Sequence, residues 1–173
     1  MGHNILGVII NLKNNGLSSA ASDNEIRHAA EHFLNIYEPD CDYFDIYDIG
    51  AFKDEYPNNV IRATDEKFFE IIGGIELRRK QMFNEHKADL TKTLEELTDA
   101  AKSGYDAVDE LYKTRYAALC HLKSWMSLLL GEFTVDSEIL DSETWTSKIT
   151  EKNIEIYRKN PENFAVVMAD IHT

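Results

Sequence analysis

The pattern of apolar and polar positions is clearest in the middle of the chain, where it predicts a long amphipathic helix. Between Phe83 and Leu111 the apolar residues recur at gaps of three, four and seven, which places them on one side of a helix. A continuous helix over residues 75–113 would be about 60 Å long, more than the width of a domain of this size. We therefore expect either a hairpin that breaks near Gly104 or a protruding helix that packs on a second copy. Gly73-Gly74 predicts the upstream end of the helix.

Shorter apolar runs on both sides of this helix predict the strands of a sheet. Residues 4–12 and 163–171 are rich in isoleucine and valine, and we expect them to be buried strands and central neighbours. Residues 42–49 interleave aromatic residues with acids, which predicts a strand with one solvent-facing side. A brief strand is expected near residues 60–62. The apolar segment 115–130 is consistent with strands or with continued helix, and the pattern does not decide between them.

Two further helices are indicated by their termini. Ser22 and Glu25 have the spacing of a capping box, and the helix that follows should end before Pro39. A later helix, marked by Trp145 and the apolar positions after it, should end at Asn160-Pro161. The order of elements predicts one α+β domain over residues 1–173, with a small antiparallel or mixed sheet of four to five strands, packed helices and one long central helix.

Charge narrows the range of functions. The 173 residues include 31 acids and 18 lysines and arginines, a formal net charge of −13. Such a charge argues against direct binding of nucleic acid and favours a partner with a basic surface. The sequence has no membrane-length apolar run and no recognisable export signal, and its two cysteines form no C-x-x-C pair. We therefore expect a cytoplasmic protein.

The acids are concentrated in three groups, two acidic segments and a third group on the long helix at Glu95–Glu110, which suggests a binding surface. Residues 38–55 hold seven acids against one lysine, and residues 131–147 hold five acids and no base. Carboxylates at this density can imitate a row of phosphates and occupy a basic groove on another protein. The candidate contact residues are Asp42, Asp45, Asp48, Glu132, Asp136 and Glu138.

Two groups of residues are candidates for metal binding. His28 and His32 lie one helical turn apart around Glu31, the spacing of some zinc proteases, although they fall away from the apolar face of their helix. His3, Asp170 and His172 lie in the two terminal strands and would meet at a sheet end if those strands pair. The sequence contains no nucleophile or phosphate-binding motif. It favours a non-enzymatic protein without a cofactor, with a small metal-dependent hydrolase as the alternative.

Three short motifs resemble a family of small proteins found largely in bacteriophage and prophage genomes. Its members open with Met-x-His before an apolar strand, carry an Asp-Trp-Tyr-x-Ile-Gly-Gly-Arg-Trp box, and end in Asp-Cys-His-Ile. The corresponding residues here are Met1-Gly2-His3, Asp45-Ile46-Tyr47-Asp48-Ile49-Gly50 and Asp170-Ile171-His172. Ile46 and Ile171 stand where the family has tryptophan and cysteine.

The resemblance implies a compact α+β domain from a mobile genetic element. It implies no reaction. Small accessory proteins of phages often bind host machinery, including anti-phage defence systems. Together with the charge, this gives the hypothesis of a host-protein inhibitor acting through an acidic surface. A structural, oligomerising phage protein, with the long helix packed on a second copy as a homodimer, is the further alternative.

Overall fold

The two apolar strands at the ends of the chain pair at the centre of the sheet, as the sequence predicts. The computed structural model describes residues 3–37, 41–130 and 139–172. The strands are β1 (His3–Asn11), β2 (Tyr43–Asp45), β3 (Val60–Arg62), β4 (Ile139–Asp141) and β5 (Phe164–His172). The helices are α1 (Asp23–Tyr37), α2 (Glu66–Ser103), α3 (Tyr105–Leu130) and α4 (Glu151–Lys159).

The sheet is mixed and has the order β2-β5-β1-β4, with β3 also paired to β5. β1 runs antiparallel to β5 and parallel to β4, while β2 and β3 both run antiparallel to β5. Every residue of β5 is buried, which explains the uninterrupted apolar run from Phe164 to Ala169. The predicted α+β class and the small mixed sheet are confirmed.

Helices cover both faces of this sheet. On one face α1 packs its buried Ile26 and Leu34 against Leu6 and Val8 of β1. On the other face lie the first turns of α2 together with α4. Each fully buried aliphatic side chain contributes about 1.5–3 kcal/mol to the free energy of folding. The residues of the second cluster include Ile9, Phe68, Ile72, Ile75, Tyr157, Val166 and Met168.

The predicted capping box begins α1. The Ser22 amide and hydroxyl both donate to the carboxylate of Glu25 at 2.7 Å. These hydrogen bonds lower the pKa of Glu25, because they stabilise its charged form.

A buried amide connects the two short strands that share β5 as their neighbour. Asn59 is only 7% exposed, and its Nδ2 donates to the backbone oxygens of Ile46 at 2.6 Å and Met168 at 2.9 Å. Its Oδ1 accepts a hydrogen bond of 2.8 Å from Arg27 Nε. The Asn59 side chain therefore supplies hydrogen-bond donors to the Ile46 and Met168 carbonyls between the end of β2 and the start of β3.

The long helix is a hairpin. α2 ends where Gly104 adopts a φ of +115°, a conformation that favours glycine, and α3 begins at the next residue. The alternative of a break near Gly104 is thus observed, and the segment 115–130 is helical. The break predicted at Gly73-Gly74 is wrong, because α2 continues through both glycines. α3 bends at Arg115, whose φ and ψ are −128° and 26°. None of the described helices is both long and apolar enough to cross a lipid bilayer.

The strand predicted over residues 42–49 is shorter than expected. β2 covers Tyr43–Asp45 only. The Asp45 side chain accepts hydrogen bonds from the backbone amides of Tyr47 and Asp48, both at 2.8 Å, and these bonds turn the chain away from the sheet.

The last helix also begins later than predicted. Trp145 has a φ of +55°, which is incompatible with a helix interior, and α4 starts only after Thr150, whose side chain forms its N-cap. The hydroxyl of Tyr157 on α4 donates to the buried carboxylate of Asp141 on β4, a strand that the sequence did not predict. This bond attaches α4 to the edge of the sheet.

Candidate metal site

Three side chains of the metal-binding types meet where β1 begins and β5 ends. His3 and His172 are directly opposed in the antiparallel register, and Asp170 lies two residues before His172. Because side chains alternate along a strand, Asp170 and His172 point to the same face of the sheet. The two imidazole centroids are 4.2 Å apart. The structure therefore brings together the residues that the sequence grouped on the condition that the terminal strands pair.

The carboxylate of Asp170 is the centre of this cluster. Its side chain is only 2% exposed, and His3 Nδ1 lies 3.0 Å from Oδ2 and 3.3 Å from Oδ1. His172 Nε2 lies 3.4 Å from the same Oδ2. The His172 side chain is 8% exposed and that of His3 is 46% exposed, so solvent reaches the cluster from the His3 side. A buried carboxylate needs such partners, because an unpaired charge in the interior is costly.

β2 and the turn after it enclose the cluster on another side. The ring of Tyr43 stacks on His172, with centroids 3.8 Å apart and planes inclined by 16°. The backbone amide of Asp42 donates to the carbonyl of His172 at 2.8 Å. Gly50 has a φ of +49°, and a Cβ at this position would lie 3.2 Å from Asp170 Oδ2. A glycine here therefore meets two requirements, the left-handed backbone and the close approach to the carboxylate.

The spacing of the donor atoms fits one metal ion. One ligand atom from each of His3, Asp170 and His172 lies within 4.8 Å of the other two. In a tetrahedral zinc site with bonds of about 2.0–2.1 Å, neighbouring donors are roughly 3.3 Å apart. The histidine–aspartate distances of 3.0 and 3.4 Å are close to that value. His172 Nδ1 is buried and makes no hydrogen bond to any described residue. This nitrogen is therefore an exception to the rule that buried polar atoms are hydrogen-bonded.

The other predicted metal pair lies on the surface of α1. His28 has a 79% exposed side chain, and its Nδ1 is 3.3 Å from a Glu31 oxygen. His32 is also exposed. Within the described ranges, neither histidine belongs to a group of three ligand-type side chains. The expectation that both face away from the apolar side of the helix is confirmed.

The predicted acidic contact residues have different environments. Asp42 and Asp48 are exposed, and Asp48 Oδ1 accepts a 3.2 Å bond from the Gly50 amide. Asp45 is half-buried and holds the turn after β2, and the register places it opposite Asp170. Glu132, Asp136 and Glu138 lie outside the described residues.

Comparisons with protein-family models, with curated proteins and with solved structures found no match. Sequence reasoning missed Tyr43 and Gly50 as parts of the candidate metal site. Gly50 carried the stronger signal, because a glycine directly after an aspartate-rich turn often marks a left-handed residue.

Proposed function

We propose that this protein binds a divalent transition-metal ion, of the class of Zn²⁺, through His3, Asp170 and His172. The observation that carries the proposal is a nearly fully buried carboxylate with two imidazole nitrogens at 3.0 and 3.4 Å. Imidazole and carboxylate together favour zinc, iron and similar ions over Ca²⁺ and Mg²⁺, which prefer oxygen ligands alone.

The arrangement supports hydrolysis as the reaction class. Three protein ligands leave at least one coordination position for water, as in catalytic zinc sites. His3 is the half-exposed member of the cluster, so an ion held there would be open to solvent from the His3 side. An ion held by His3, Asp170 and His172 would supply a Lewis acid and would lower the pKa of a bound water toward neutral, which is the chemistry needed to hydrolyse an ester or phosphoester bond. If the metal site is catalytic, we therefore expect a small metal-dependent hydrolase.

The test is a metal titration of protein without a histidine tag, after treatment with a chelator and dialysis. We expect one Zn²⁺ per chain by calorimetry and a higher melting temperature. At a free concentration 100 times Kd, binding adds about 2.7 kcal/mol to the free energy of unfolding. Co²⁺ in place of Zn²⁺ should show visible absorption from a histidine and carboxylate environment.

Matched variants locate the ion. His3→Ala removes a half-exposed ligand with little effect on packing, and it should weaken Zn²⁺ binding at least about 10-fold. His28→Ala and His32→Ala remove solvent-facing imidazoles and should change neither affinity nor stoichiometry. Absence of stoichiometric binding, or loss of binding only in the α1 variants, would refute the site. If the ion binds but a bis(p-nitrophenyl) phosphate assay shows no turnover, the metal site stands and the hydrolase form does not.

The acidic-surface hypothesis is a separate proposal with its own support. Asp42 and Asp48 are exposed on the segment that borders the metal cluster, so both are accessible to a basic partner. A host protein that binds nucleic acid is the class of partner that this chemistry fits.

A further inference from the structure

Among its described side chains, the α2–α3 hairpin buries few for its length. Beyond Ile75, the described side chains of the two helices include only two that are less than one-tenth exposed, Thr93 and Leu122. Contacts between the helices include the Phe83 and Trp125 rings, 5.9 Å apart. Large apolar side chains on this hairpin that are more than one-third exposed are Leu77, Phe83, Leu94, Tyr105, Tyr112, Tyr116 and Met126.

Four of these exposed side chains follow one stripe of α3. Tyr105, Tyr112, Tyr116 and Met126 recur at heptad-like spacing, with exposures of 82, 54, 55 and 53%. The rings of Tyr112 and Tyr116 are in contact, with centroids 5.1 Å apart, so the stripe continues across the bend at Arg115. Leu122, four residues before Met126, is buried, so the stripe borders the buried side of α3 at its Met126 end.

Charge is strongly segregated along the hairpin. The outer part, residues 93–112, contains six acids and one lysine, a net charge of −5. The inner part, residues 80–92 and 113–126, contains six lysines and arginines and two acids, a net charge of +4. Ion pairs at the junction, such as Arg115 Nε to Glu96 at 3.1 Å, use some of these charges. The inner part is therefore a basic surface on a protein whose net charge is −13.

We infer that the exposed stripe of α3 is the interface of a homodimer, in which two hairpins pack antiparallel with the outer part of one beside the inner part of the other. Asp109 lies seven residues before Tyr116 and Lys123 seven residues after it, about 10.5 Å in either direction along a helix. A two-fold axis at Tyr116 therefore places Asp109 of one copy opposite Lys123 of the other, twice. A parallel arrangement would oppose acids to acids in the outer part, which is disfavoured.

The experiment is sedimentation equilibrium of the full-length protein over a range of concentrations. We expect a monomer–dimer equilibrium for the natural sequence. Asp109→Lys and Lys123→Glu each turn two attractive pairs into repulsive ones, and each should raise the dimer Kd at least about 10-fold. An equimolar mixture of the two variants should recover dimer, because each copy then supplies the charge that the other needs. The double variant D109K/K123E should also recover it.

Controls separate the interface from folding. Tyr116→Ser should weaken the dimer, whereas Tyr47→Ser, an equally exposed tyrosine outside the hairpin, should not. Far-ultraviolet circular dichroism of every variant checks that the helices are intact. A monomer for the natural sequence at all concentrations would overturn the inference. So would a dimer that neither single charge reversal weakens, or a mixture of the two variants that stays monomeric.

Discussion

Replacing Asn59 by alanine should destabilise the protein by about 3 kcal/mol and also weaken metal binding. The side chain makes three hydrogen bonds of 2.6, 2.9 and 2.8 Å while being only 7% exposed. Each such bond is worth about 1 kcal/mol, and the buried carbonyls of Ile46 and Met168 would lose a donor that water cannot easily replace. Met168 lies two residues before Asp170 on β5, and Ile46 lies in the turn that leads to Gly50.

The assay is urea denaturation followed by circular dichroism, with the m-value required to stay constant so that the midpoint reports stability. Asn35→Ala is the matched control, since Asn35 is an exposed asparagine on α1 and its replacement should change the unfolding free energy by less than about 0.5 kcal/mol. The Zn²⁺ affinity of the folded N59A protein is then measured by calorimetry. A loss of stability below about 1 kcal/mol would show that other groups or water replace the hydrogen bonds of Asn59, and would refute this prediction.

Three further predictions concern Gly50, Tyr157 and the exposed pair Asp42 and Asp48. Gly50→Ala should cost about 1 kcal/mol in thermal unfolding and reduce Zn²⁺ affinity, because it strains a positive φ and crowds the Asp170 carboxylate; unchanged affinity would contradict this. Burial and Asp141 raise the pKa of Tyr157, so its stabilising effect is complete below about pH 10 and is lost as pH rises further. Tyr157→Phe should therefore unfold with a weaker dependence on alkaline pH. If the proposed acidic surface binds a basic host protein, Asp42→Asn with Asp48→Asn should abolish that salt-sensitive binding, and binding that persists in high salt would count against the acidic surface.

The central strands could be predicted from sequence because burial on both faces leaves a continuous apolar run. β1 and β5 were expected within a residue of their observed ends, and their pairing was expected as well. For the long helix the apolar pattern left two alternatives, a hairpin that breaks near Gly104 and a single protruding helix. Gly104 ends α2 because its φ of +115° is incompatible with a continuing helix. Gly73 and Gly74, in contrast, lie inside α2. A glycine costs a helix about 1 kcal/mol, and the packing of Phe68, Ile72 and Ile75 onto the sheet outweighs that cost.

The part of the metal site that depends only on the pairing of β1 with β5 could be predicted from the sequence. Antiparallel pairing of two terminal strands is enough to bring His3 near Asp170 and His172. Tyr43 and Gly50 could not be assigned, because their positions depend on where β2 joins β5 and on how Asp45 ends that strand. Apolar periodicity carries information about which face of a strand is buried, but not about the register of a three-residue strand.

Net charge is a similarly incomplete guide to binding partners, because the total does not say where on the molecule the charges lie. A net charge of −13 led to the expectation of a basic foreign partner. The hairpin shows that the chain carries a basic segment of its own, beside an acidic one, so a second copy can satisfy some of the acids. The two proposals are separable by residue. Asp109→Lys should change self-association and leave host-protein capture intact, whereas neutralising Asp42 and Asp48 should do the reverse. If either change affected both self-association and host-protein binding, one surface would bind both partners, and the two proposed surfaces would not be separate.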